Sequence, residues 1–373
     1  MAKKRILTLT TQYSPNMGAL LQCYALSRFL NSQNDTECAV IQYWHPNAKA
    51  GWRAFKHGGS FRNRLFNLYM LFRPDLIIQK KRRNKKLQTF IDEYIPLDKN
   101  IYTTDDAIRQ NPPQADVYVV GSDQIWNVNR KGVGSVYFFD FVPDGRKRIA
   151  YAPSLGVDWS EEQRLWLRPY LQKFDALSVR EEGHVAQVSE ASGKEVLHVA
   201  DPVFLLSPEE WLKIAKKPDF DEPYIFCYFF GVTDLAAKAV KRLREVTGYK
   251  VVYMNFNALD KLDSDICIRS CDPRDFIGFI ANAAVVCASS FHASAFSIIF
   301  KKNLFYVPQA AKERILSLKR TFKIDDILVT EKRLESLTKE NIQIDYTKGE
   351  EAGEKYISDS RRFLLNSIYG KNS

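Results

Sequence analysis

The chain has 373 residues, more than one compact core needs and a good fit for two domains of ordinary size. Hydrophobic residues make up 45%, aromatic 13% and charged 26%, a globular composition that excludes a disordered or low-complexity protein. Lys and Arg outnumber Asp and Glu by 54 to 44, and the net charge of +10 favours anionic partners without choosing among phosphates, nucleic acid and a membrane face.

The chain opens MAKKRILTLTTQYS, whose apolar ILTLT is far too short for a signal peptide, and no run reaches the about 18 apolar residues that a spanning helix needs. Ile6 to Thr10 reads as a strand that meets the polar loop TQYSPNMG, and the apolar residues of ALLQCYALSRFLN then recur at helical spacing. Strand, glycine-bearing loop and helix in that order begin an α/β domain. Residues 39–43 form the next predicted strand.

Residues 50–95 break the rhythm. FRNRLFNLYMLFRP alternates bulky apolar groups with arginine, and KKRRNKKLQTFIDEYI adds a dense positive run. The pair reads as two helices inserted into the first domain, either a solvated helical face or a contact for a membrane surface or polyanion. Four apolar runs follow, in VYVVGSD, RIAYAPSLG, ALSVRE and VLHVADP, each ending in a polar or glycine-bearing loop. Between the second and third lies SEEQRLWLRPYLQKF, a helix with Ser160 as its N-cap. SPEEWLKIAKK, at 207–217, is a capped helix near a domain junction.

A second series starts at YIFCYFFG (224–231) and continues with a helix at 233–247, YKVVYMN, a helix at 273–281, AAVVCASS, a helix from His292, and NLFYVP. The strands are continuous apolar runs, as buried parallel strands are. The prediction is two Rossmann-like domains, residues 1–205 with the helical insertion and 206–345, then a C-terminal helix within 346–373. Two open α/β domains in series are expected to hold a ligand cleft between them, at the carboxyl ends of the strands.

The informative residues then lie just after each strand. Asn16-Met17-Gly18-Ala19 is either a plain turn or a helix start where free N–H groups meet an anion. Gly121-Ser122-Asp123-Gln124-Ile125-Trp126-Asn127 combines polar groups with a tryptophan that suits a sugar face, if it is not simply a capped turn. Arg180, in Ser178-Val179-Arg180-Glu181, either clamps a carboxylate or phosphate or pairs with Glu181 or Glu182 at a surface. Asp201-Pro202 reads as a structural turn. His292 falls in the first turn of a helix after a buried strand. There it is either a core histidine or a group that gains a proton when an anion binds, as acid/base work requires. The six cysteines lack paired finger-type spacing and read as reduced thiols, so no metal site is expected.

N-x-G-A-x-L-Q-x-Y-A-L at 16–26, G-S-D-Q-I-W-N at 121–127, Y-A-P-S-L-G at 151–156, S-V-R-E at 178–181, D-P-V-F at 201–204, S-F-H at 290–292 and E-R-I-x-S-L at 313–318 occur in this order. Together they resemble the polysaccharide pyruvyl transferase family, over roughly residues 5–335. The resemblance implies a glycosyltransferase-B-like pair of domains, phosphoenolpyruvate as donor, and a sugar acceptor with two nearby hydroxyls. The products are a cyclic ketal and phosphate, and no cofactor or metal is implied. His292 becomes the candidate general acid or phosphate ligand, with Arg180, Ser290 and Arg314 on the donor. Asp123 becomes the candidate base, with Asn16, Gln22, Gln124, Trp126 and Asn127 toward the acceptor. Many family members carry arginine where this chain has Ser290, so either Arg314, Arg320 or Lys312 compensates or the donor differs.

The expected acceptor is a sugar on a lipid-linked oligosaccharide, handled in the cytoplasm at the inner membrane face, with the basic insertion against anionic lipid. The rival is a nucleotide-sugar glycosyltransferase on the same architecture; a non-catalytic sugar- or anion-binding protein is a third class. A nucleic-acid partner is not expected, because the aromatics are not interleaved with the basic runs and no reader motif is present.

Overall fold

The computed structural model describes residues 3–44, 48–58, 60–309 and 313–370. The chain forms two compact units. The first comprises Met1–Arg53, Thr89–Leu206 and Glu354–Ser373, and the second Ala54–Gln88 and Ser207–Gly353.

The first unit is built on seven strands: β1 (Lys4–Leu9), β2 (Thr36–Tyr43), β3 (Leu97–Tyr102), β4 (Val117–Val120), β5 (Lys147–Ala150), β6 (Ala176–Val179) and β7 (Val196–His198). They pair in parallel in the order β3-β2-β1-β4-β5-β6-β7. β4 is buried at every position, as a sheet covered by helices on both faces requires. Leu7, Leu9, Tyr118, Val120 and Leu177 join Trp126, Phe138 and Phe174 in its core.

The second unit has β8 (Tyr224–Tyr228), β9 (Lys250–Met254), β10 (Ile266–Ile268), β11 (Val285–Ala288) and β12 (Asn303–Tyr306), again all parallel, in the order β10-β9-β8-β11-β12. The two sheets share one logic. Strand order reverses between β1 and β4 in the first and between β8 and β11 in the second. Open parallel sheets bind ligands outside the carboxyl ends of the strands at such reversals.

Two segments group differently from the expectation. Helix Phe61–Leu71 and most of helix Pro74–Tyr94 count with the second unit, not the first. Their fastenings explain it. Tyr69 Oη donates to the Ala258 carbonyl at 3.4 Å, the Arg83 guanidinium lies 4.5 Å over the Phe256 ring, and Lys86 Nζ donates to the Ser270 carbonyl at 3.0 Å. The final helix, Glu350–Tyr369, belongs from Glu354 onward to the first unit. Its Ser360 hydroxyl accepts the Ala200 N–H at 2.8 Å, and Arg361 donates to the Leu205 carbonyl at 2.8 Å.

Candidate functional site

In the first unit the reversal point lies between the loop after β1, which leads into helix Met17–Asn31, and the loop after β4, which carries Gly121–Asn127. Four motifs far apart in sequence meet behind this second loop in one buried hydrogen-bond chain. Gln22 Nε2 donates to Thr10 Oγ1 at 2.7 Å and to the Ala19 carbonyl at 2.8 Å, while its Oε1 accepts the Ser122 N–H at 2.8 Å. The Ser122 hydroxyl has two acceptors within reach of its one proton, the Ala152 carbonyl at 2.6 Å and Asp201 Oδ2 at 3.2 Å. The same Oδ2 takes Arg180 Nη1 at 2.7 Å, and Arg180 Nε reaches Glu181 Oε1 at 3.2 Å. Glu181 Oε2 then faces His184 Nδ1 at 3.3 Å.

Arg180, Glu181 and Asp201 are fully buried, so Arg180 holds a buried ion-pair network instead of the surface pair that was one expectation. Burial opposes charge on Arg180, but the carboxylates of Glu181, Asp201 and Asp123 outweigh it and raise the guanidinium pKa. Burial likewise opposes ionisation of Glu181, yet Arg180 first, then His184 and Ser154, bring its carboxyl below the ordinary value. Asp201 does act as a turn former. Its Oδ1 accepts the Val203 N–H at 3.1 Å, capping the short helical turn Pro202–Leu205.

The framework presents Asp123. Its backbone is left-handed (φ 64°), and its carbonyl accepts the N–H groups of Ile125 and Ser154, both at 2.8 Å. Gly121 cannot be larger: with φ at 144°, a Cβ there would lie 1.8 Å from the Tyr151 carbonyl oxygen. The Asp123 carboxylate accepts the Thr11 hydroxyl at 3.3 Å and, with Gln124, lines a cavity of about 230 Å³. Asn127 Nδ2 donates to Gln124 Oε1 at 3.1 Å and so orients it.

The other walls were not anticipated. Thr10, Thr11, Tyr13, Tyr43, Arg130, Lys131 and Tyr137 all line the cavity. Burial first, then Asp92 and Cys23, push the Tyr13 phenol up to about 12, and burial also drives Tyr43 and Tyr137 upward. The three phenols therefore stay neutral. Tyr13 donates to Gln42 Oε1 at 2.6 Å and Tyr43 to Asp105. The available signal was position alone, since Thr10–Tyr13 follow β1, Tyr43 ends β2, and Arg130–Lys131 continue the loop after β4.

Three expected acceptor residues are placed elsewhere. Trp126 is not an exposed platform. It is fully buried, stacked on Phe138 at 5.1 Å, and its Nε1–H is taken by the Tyr137 carbonyl at 3.0 Å. Gln22 is fully buried in the chain described above. Asn16 is the N-cap of helix Met17–Asn31, its Oδ1 accepting the N–H groups of Gly18 and Ala19.

In the second unit the reversal point joins the loop after β8 to that after β11, where Ser289 Oγ accepts the Phe230 N–H at 3.1 Å. Ser290 caps helix Phe291–Ile299 by accepting the Ala293 N–H at 3.4 Å, so its hydroxyl is used by the helix start. His292 is buried in the first turn, edge-on to Phe291 at 5.2 Å. The first-turn N–H groups and dipole end of such a helix favour an anion. Arg314 opens helix Glu313–Thr321, and its charge works against the burial that raises the Tyr306 phenol at the end of β12. Arg320 pairs with Glu313, and Lys312 lies outside the described residues.

Two parallel sheets, each with a loop leading into a helix at its reversal point, define a two-domain α/β protein of Rossmann type. The particular family follows from the sequence: the family model for polysaccharide pyruvyl transferase matches residues 16–309, and the chain belongs to that family. No curated protein matches. Among solved structures, a UDP-N-acetylglucosamine 2-epimerase superposes with a TM-score of 0.55 at 13% identity, covering 100% of this chain and 98% of that one. The Methanocaldococcus jannaschii UDP-GlcNAc 2-epimerase with UDP-GlcNAc and UDP gives 0.53 at 14%, covering 97% and 99%. The S. aureus MnaA–UDP structure gives 0.53 at 13%, covering 98% and 96%. At these identities the likeness is one of fold.

Proposed function

We propose that the protein transfers pyruvate from phosphoenolpyruvate to two hydroxyls of a sugar in a bacterial surface-polysaccharide precursor, in the cytoplasm. Family membership supports the class of transfer. The observation that carries the acceptor assignment is the Asp123 carboxylate, held by a buried framework in a cavity that the hydroxyls of Thr10, Thr11 and Tyr13 and the amide of Gln124 also line.

In the reaction C3 of the donor gains a proton while one sugar oxygen bonds to C2. The second sugar oxygen then displaces the phosphate oxygen from C2. The two hydroxyl protons end on C3 and on phosphate. Asp123 takes a hydroxyl proton, Gln124 (oriented by Asn127) and Thr11 hold the sugar, and Arg130 and Lys131 meet an anionic group on a lipid-linked acceptor. The helix start at Ser290 and His292 receives the donor anion, with His292 as proton donor or phosphate ligand and Arg314 supplying fixed charge. Arg180, already engaged by two carboxylates, acts by holding the Asp123 loop.

A nucleotide-sugar donor is the second reading, favoured by one fact: Ser290 brings no charge where a phosphoenolpyruvate site would use an arginine. Thermal melts with phosphoenolpyruvate, phosphate, pyruvate and a nucleotide-sugar panel separate the two, since a ligand of the native state raises the melting temperature. A shift with phosphoenolpyruvate that disappears in His292→Ala supports pyruvyl transfer. A shift with a nucleotide sugar and none with phosphoenolpyruvate overturns it.

A further inference from the structure

Residues 54–88 of the second unit carry ten Lys and Arg against a single Asp, a net +9 of the whole chain's +10. They also hold a large share of the exposed apolar side chains. Phe61, Leu65, Leu68, Leu71 and Phe72 are 74%, 50%, 52%, 64% and 76% exposed, and Phe55 and Ile78 are exposed too. At about 100° per residue, Phe61, Leu65, Leu68 and Phe72 fall on one stripe of helix Phe61–Leu71 and its C-cap. Exposed Arg62 and Arg64 flank that stripe on either side.

The opposite side of the helix is the one that packs. Met70 is buried, Phe66 lies under Lys56 Nζ at 4.5 Å, and Asn67 exchanges hydrogen bonds with the Lys56 backbone at 2.8 and 2.9 Å. Arg73 holds the turn into the next helix, bonding Asp75 through two nitrogens at 2.9 and 2.7 Å. On that next helix Lys81, Arg82, Lys85 and Lys86 are exposed. The helix is thus amphipathic in the inverted sense: its apolar stripe faces solvent.

We infer that helix Phe61–Leu71 is an interfacial anchor that lays its Phe/Leu stripe into an anionic phospholipid bilayer, with the surrounding arginines and lysines at the headgroups. Two bulky aromatic and three leucine side chains on a short helix match the apolar face of in-plane helices, and the basic flanks match the anionic surface. Among the described residues no helix is long and apolar enough to cross a membrane, so the contact is peripheral. A second copy of the chain fits less well, because a symmetric pairing would set one +9 segment against another. Nucleic acid would use the charge but leave the apolar stripe in water.

Vesicle flotation with the full chain tests this. The protein is expected to float with vesicles containing phosphatidylglycerol and to remain behind with phosphatidylcholine alone. The double variant F61S/F72S should bind those anionic vesicles weaker by roughly tenfold or more, while melting like the wild type because both side chains are exposed. The idea is overturned if the wild type ignores anionic vesicles, or if F61S/F72S floats equally well. It is also overturned if the variant's effect is to dissociate a dimer, or if single-stranded DNA binds as tightly to F61S/F72S as to the wild type while vesicles do not bind. None of these outcomes bears on the donor assignment.

Discussion

Arg180 Nη1 lies 2.7 Å from Asp201 Oδ2, and that same oxygen is within reach of the Ser122 hydroxyl at 3.2 Å. The pair therefore does two things at once: it neutralises a buried guanidinium and it ties the start of the Asp123 loop to the motif after β7. Removing Arg180 leaves Asp201 and Glu181 buried without their cation. Arg180→Met is expected to cost about 3–5 kcal/mol of stability. Arg180→Lys should recover only part, since one ammonium cannot reproduce the fork that serves two carboxylates. Urea unfolding measures both; wild-type stability in Arg180→Met would show that the pair contributes nothing.

Gly121 provides a test of backbone geometry. A methyl group there meets the Tyr151 carbonyl at 1.8 Å, whereas one at Gly145 (φ 80°) meets nothing within 4 Å. Gly121→Ala should lose about 3 kcal/mol or more, and Gly145→Ala about 1 kcal/mol from its left-handed backbone alone. Thermal melts of the two variants should differ in that order.

Asp123 and Trp126 are three residues apart and should behave in opposite ways. Asp123→Asn is expected to melt like the wild type and lose about 10²–10⁴-fold in kcat. Trp126→Phe should lose about 1–3 kcal/mol, from the smaller ring and the missing donor to Tyr137, with the acceptor KM unchanged. A raised acceptor KM without loss of stability in Trp126→Phe would return the indole to the sugar site.

Lys80 supplies a pH test. Burial first, then the charges of Arg83 and Lys56, lower its pKa from 10.5 to about 8. Its folded pKa lies below the unfolded one, so its contribution is fully present above the unfolded value and is lost as pH falls through about 8. At neutral pH the protonated lysine thus penalises the native state. Lys80→Met should melt above the wild type at pH 7, and the gap should narrow as pH rises through 8 toward 10.5. A gap that does not change with pH would mean the lysine is not desolvated.

The central strands were legible because buried parallel strands are continuous apolar runs: VYVV, YIFCY and VVCA became β4, β8 and β11. Caps were legible for a similarly local reason, as Ser160, whose side chain and Gln163 satisfy each other's N–H groups, illustrates. The edge strands β3 (LDKNIY) and β10 (ICI) were not, since one is largely polar and the other only three residues long. Motif order alone led to the right family and to the loops at both reversal points.

What only the tertiary structure decided is which motif residues line the cavity and which are spent inside the fold. Gln22 and Arg180 read as ligand contacts in the sequence, yet with Ser122 and Asp201 they form one buried hydrogen-bond chain, while Asp123 lines the cavity. Trp126 looks like a sugar platform because its neighbours are polar, but its indole turns inward onto Phe138 and Phe174. The stripe from Phe61 to Phe72 has the periodicity of a core-facing helix, and nothing local says that Met70 and Phe66 are the side that packs. Such outcomes rest on contacts between residues tens to nearly two hundred positions apart. Local propensity carries no record of them, because burial is a property of the partner as much as of the residue.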